Sequence, residues 1–177
     1  MKQPTDKLRT NTLGMLAAVL GFGVVAILAT ITFAAQDLLW FVSGFAERPA
    51  RIVVYAAGQR HEFTEGQPGF DLLAEGVIAS LSGGVARQSG IGFSDESLRD
   101  AYTLYVTVEA FFAQPVKLHA GFNTGWPTQM LFPLTGRHSE LSVVLLGQDG
   151  RYQSNPPALK RLEPLRDAVA GLVLYRE

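Results

Sequence analysis

The stretch that decides the architecture is Thr12–Ala35, TLGMLAAVLGFGVVAILATITFAA, 24 residues without a charged side chain. A helix advances about 1.5 Å per residue and the hydrocarbon core of a bilayer is about 30 Å thick, so about 20 apolar residues suffice to cross it. A cleaved signal peptide has a shorter apolar core, about 7–15 residues, followed by a small-x-small site. Here the run is longer, and the best such site, ending at Ala35, has Phe33 where a small residue belongs. The reading is therefore a retained signal-anchor: a single-pass transmembrane helix over residues 12–35.

Orientation follows from the flanks. Residues 1–11 carry Lys2, Lys7 and Arg9 against Asp6, whereas Asp37 and Glu47 come before Arg48 on the far side. Lys and Arg favour the cytoplasmic side. The expectation is a cell-membrane protein with residues 1–11 as a cytoplasmic tail, too short for an output domain, and an outer domain over residues 49–177. Residues 37–45, DLLWFVSGF, hold Trp40, Phe41 and Phe45, aromatic types that settle at headgroup level. They predict either a continuation of the helix to residue 45 or an interfacial foot. Within the span, Gly14, Ala17, Ala18 and Gly21 share a face, a spacing that permits close helix–helix approach.

The remainder reads as one α+β domain. Arg51–Ala57 and Arg60–Thr64 predict a hairpin, and Pro49 ends whatever precedes it. Phe70, Leu73, Val77 and Leu81 recur at helical spacing. Ser82–Phe93 reads as an irregular glycine-rich loop, and Ser94 as the N-cap of a short helical turn through Asp100. Tyr102–Phe112 alternates with period 2 and predicts the longest strand. Further strands are expected over Val116–Phe122, Gln129–Leu134, Ser142–Leu146 and Arg151–Gln153, with Asp149–Gly150 at a hairpin turn. Pro164 suits the first turn of a closing helix. Strands joined by short turns predict a mostly antiparallel sheet with helices packed on one face.

Chemistry is sparse. The full chain has 177 residues, a formal net charge of −1 and no cysteine. That excludes disulfides, thiolate metal sites, cysteine nucleophiles and cysteine-bound haem or iron–sulfur clusters, and argues against a nucleic-acid partner. His61, His119 and His138 are scattered and lack metal-site spacing. Neither Ser82 nor Ser89 lies in a nucleophile elbow, and writing Ser89, His119 and Asp100 as a triad would be arbitrary. Gly90-Ile91-Gly92 lacks the third glycine of a dinucleotide fingerprint, and no lysine stands near for a P-loop. No catalytic, metal or cofactor residue is assigned.

One surface candidate remains. Phe122, Trp126 and Met130 cluster around the turn Asn123–Pro127 and form a candidate partner contact. The stretch Arg51–Phe70 resembles membrane-anchored bacterial domains to which no activity attaches. The expectation is a non-catalytic accessory or scaffold subunit, in contact with the bilayer and with other membrane proteins. An anchored ligand-binding module is the alternative, and an anchored enzyme the third choice.

Overall fold

The computed structural model describes residues 6–172, with side chains from Thr12 onward. The basic flank Lys2, Lys7 and Arg9 lies outside the described side chains, so the structure does not bear on it. Helix α1 spans Asp6–Ala35. Over Thr12–Ala35 it is apolar all round, and within that run only Ala35 is buried by the rest of the chain. This helix is thus long and apolar enough to cross a membrane, and it does not serve as a core helix of the domain.

The helix does not continue to residue 45. Gln36 takes a left-handed conformation, φ 52°, and a turn over residues 38–41 follows. The reason is local: the Asp37 side chain accepts from the Leu39 amide at 2.8 Å, an Asx-type bond that competes with helical pairing. The chain then enters the domain, and Phe45 is buried in its core edge-to-face against Phe112, ring centroids 5.7 Å apart.

Six strands form the main sheet: β1 (Arg51–Ala56), β2 (Gln59–Thr64), β4 (Thr107–Phe111), β5 (Gln129–Pro133), β6 (Leu145–Gln148) and β7 (Arg151–Tyr152). Every pairing is antiparallel, in the order β2-β1-β4-β5-β6-β7. Pro133 closes β5, where its missing donor interrupts no interior ladder position. The first hairpin, the helix over Phe70–Leu81 and the Asp149–Gly150 turn stand close to where periodicity and turn chemistry put them.

Two helices cover one face. Helix α2 (Phe70–Ser82) and helix α4 (Glu163–Gly171) bring Phe70, Leu73, Val77, Leu81 and Leu165 against Ile52, Val54, Val108, Ala110, Met130 and Phe132. Gly76 makes their close crossing possible, because a Cβ there would stand 2.8 Å from Ala168 Cβ and 3.1 Å from the Pro164 carbonyl oxygen. The opposite face is also covered, which corrects the expectation of helices on one face. Helix α3 (Asp95–Thr103) packs Leu98 and Tyr102 near Leu131, Val143 and Leu145. Residues 102–106 look strand-like because they alternate, but Ser94 starts α3 as its N-cap, accepting from the Ser97 amide at 3.1 Å. The helix then runs through Thr103, so the strand begins only at Thr107.

Two more departures concern the flanking segments. The glycine-rich stretch contains β3 (Val85–Gln88), paired antiparallel with β8 (Pro157–Leu159) in a separate two-stranded sheet. Residues 116–122 keep strand-like alternation, with Val116, Leu118 and Ala120 buried and Lys117 and His119 half-buried, yet they join no ladder.

Candidate functional site

Two polar constellations stand out. The first lies on the sheet face beneath α3. Glu109 is central in β4 and only 3% exposed. Its Oε2 accepts from the Tyr55 hydroxyl at 2.9 Å, and its Oε1 accepts from the Tyr102 hydroxyl at 3.1 Å, from the Tyr152 hydroxyl and from the Gln129 amide. Register explains the convergence. Tyr55 pairs with Thr107 and Gln129 with Phe111, so both stand diagonal to Glu109 on the same face. Helix α3 lowers Tyr102 onto the group. Tyr152 comes from β7, and Gly147 opposite it leaves room: a Cβ there would stand 2.7 Å from the Tyr152 ring. The turn amide of Gly150 donates to Gln129 Oε1 at 2.9 Å, which fixes the amide the right way round.

The electrostatics keep the phenols protonated. Burial, together with the neighbouring Glu109 carboxylate, raises the ionisation of Tyr55, Tyr102 and Tyr152 above the ordinary phenol range. All three therefore remain neutral donors at physiological pH. A carboxylate that already accepts four neutral bonds is satisfied without a cation. Among the described residues no group of three or more His, Cys, Asp or Glu could hold a metal ion. Chemically, the cluster ties α3 and β7 to the sheet. The sequence carried one signal for it, an acid at a central position of the apolar run TVEAF.

The second constellation joins the domain to the root of α1. His119 Nδ1 and Asp37 Oδ2 are hydrogen-bonded at 2.7 Å. Burial pushes the Asp37 carboxyl upward, but the His119 bond and the Leu39 amide outweigh it and hold the group below its ordinary value of 3.8. Asn123 Nδ2 donates to Gln36 Oε1 at 3.0 Å. The Trp40 indole donates to Thr32 Oγ1 at 3.2 Å, back on the helix itself. Residues 116–122 supply His119 on the outward side of their alternation, and the following turn supplies Asn123. Spacing alone had left His119 without a role, because its partner lies 82 positions away.

The residues singled out from sequence separate accordingly. Trp40 is half-buried in this junction, Phe41 is 69% exposed, and Phe45 belongs to the domain core, apart from the other two. Gly14, Ala17, Ala18 and Gly21 all lie on the uncovered surface of α1. Trp126 is 60% exposed at its turn and Phe122 is half-buried. Met130 does not join them: it is fully buried on the core face of β5, because the alternation of that strand turns it inward.

Comparisons of the chain with family models, with curated proteins and with solved structures found no match.

Proposed function

We propose that the chain is a non-catalytic, single-pass membrane protein, with a cytoplasmic amino terminus and an outer α+β domain, serving as an accessory or scaffold subunit of a membrane assembly. The observation that carries this reading is the junction at the root of α1. A domain on a flexible leash samples many orientations above a bilayer. Here Asp37–His119 and Gln36–Asn123 fix the domain against the end of the helix, so that helix and domain would present one continuous surface to a neighbour. The bare small-residue face Gly14, Ala17, Ala18 and Gly21 offers a place for a second helix to approach. The Glu109 cluster, the most polar interior feature, has its donors and acceptors matched internally and supports a structural role.

The test is co-purification of the tagged full-length protein from native membranes in a mild detergent. Wild type is expected to migrate as a stoichiometric complex. Gly21→Leu, which would hold helices apart, and Phe41→Ala, which removes an exposed anchor, are expected to release it while circular dichroism stays that of wild type. A wild-type protein that runs alone, with both variants behaving identically, would sink the assembly reading.

A further inference from the structure

A cleft of about 750 Å³ opens where α1 meets the domain. Phe33, Leu38, Leu39 and Trp126 give it an apolar wall, and Asp37, Lys117 and His119 a polar end. Phe33, Leu38 and Trp126 are among the most exposed large apolar side chains of the chain, at 88%, 79% and 60%. We infer that this cleft binds a phospholipid of the surrounding leaflet, with Lys117 taking the phosphodiester of an anionic headgroup and an acyl chain lying along Phe33, Leu38 and Leu39.

The inference rests on α1 being a retained span, and it follows from where the cleft sits and how its charges are shared. Phe33 is in the last turn of the apolar run, so the cleft falls at the depth where hydrocarbon gives way to headgroups. The Asp37 carboxylate is already engaged, by His119 on one oxygen and the Leu39 amide on the other. Among the described residues Lys117 stands within ion-pair distance of no carboxylate, and its charge acts on Asp37 only from further off, as the smallest of the influences on that group. Its ammonium lies 5.2 Å from the centre of the Trp126 ring and donates weakly to the Gly125 carbonyl at 3.4 Å. An ammonium held over an aromatic ring at the rim of an apolar cleft is the arrangement expected at headgroup level, where it can turn toward a phosphate. The turn that carries Trp126 is tied to the end of α1 by hydrogen bonds. Gly125 adopts φ 67°, its amide donates to Asn123 Oδ1 at 2.8 Å, and Asn123 is bonded to Gln36 at the end of α1. The aromatic wall thus keeps its place relative to the helix.

The chain has two tryptophans, so Trp40→Phe leaves Trp126 as the sole tryptophan, excited selectively over the five tyrosines. The full-length protein would be placed in nanodiscs of phosphatidylcholine with a minor fraction of phosphatidylglycerol, bromine being carried on the acyl chains of one lipid or the other. Trp126 is expected to be quenched by both, with phosphatidylglycerol enriched about fivefold over its bulk fraction, the effect of one basic residue at an anionic surface. Lys117→Gln should abolish the enrichment while quenching by bulk phosphatidylcholine persists, and Lys117→Arg should keep it. A Trp126 that no brominated lipid quenches would overturn the site. Equal enrichment in wild type and Lys117→Gln would overturn the headgroup assignment. A chain that fails to enter nanodiscs would instead contradict the span on which the inference depends.

Discussion

Glu109 shows how a single buried acid can be accommodated without a counter-ion. Three phenols and one amide face it, and each is itself placed by a different strand or helix. Protonation linkage then gives the cluster a pH signature. The three tyrosines ionise above their ordinary value of 10.0 when folded and at that value when unfolded. The folded state therefore binds more protons than the unfolded state above pH 10, and stability must fall as pH rises through that range. At lower pH their contribution is fully present. Alkaline titration followed by tyrosinate absorbance and by circular dichroism should show Tyr102 and Tyr152, two of the five tyrosines, ionising only together with loss of secondary structure. Ionisation of all five with the fold intact would disprove the arrangement. The cluster also marks what sequence reading could reach. The acid in TVEAF was visible, but its partners were not, because Tyr55, Gln129 and Tyr152 come from strands separated by up to about a hundred positions and Tyr102 was read as strand.

Elements with strong periodicity were legible from sequence, and those defined by tertiary contact were not. The stripe Phe70, Leu73, Val77, Leu81 names α2 because one face of a helix must be buried. The alternation of Tyr102–Phe112 hides the end of α3, because the pairing that limits β4 to Thr107–Phe111 lies in other strands. Strand β3 was missed since its partner β8 is some 70 positions away, and a Gly-rich composition gives no hint of it. Gly76 interrupts α2 with a residue of poor helix propensity, and the crossing of α4 supplies the reason for it. Gly76→Ala should destabilise the protein by about 1–3 kcal/mol, an overpacking cost that outweighs the better helix propensity of alanine. Thermal melting checks this, and a raised melting temperature would refute the close crossing. The junction at α1 answers to acid. Asp37 has a depressed folded-state pKa, so its contribution is present above its ordinary value of 3.8 and is lost as pH falls through the lower folded value. Nitroxide labels at Ala29 and Glu65, both exposed, should give a narrow distance distribution at pH 7. The double variant Asp37→Asn/Asn123→Ala should broaden it at that pH, whereas acid should broaden the wild type only below pH 3.8. An unchanged distribution in the double variant would show that these bonds do not hold the domain.

At the scale of the whole molecule, the function proposed above needs α1 to cross one membrane and the domain to stand on its outer side. Burial supports the first half of that picture, since α1 turns its apolar surface away from the domain, and the basic flank at residues 1–11 argues for the second. Absence of cysteine makes the most direct test clean. Single cysteines introduced as Lys2→Cys and Glu65→Cys in the full chain would be treated in intact cells with a membrane-impermeant maleimide. The account predicts that Glu65→Cys is labelled directly and Lys2→Cys only after permeabilisation, both on a band of full-length mass. Labelling of Lys2→Cys but not Glu65→Cys in intact cells, or a labelled band shortened by the first 35 residues, would contradict it.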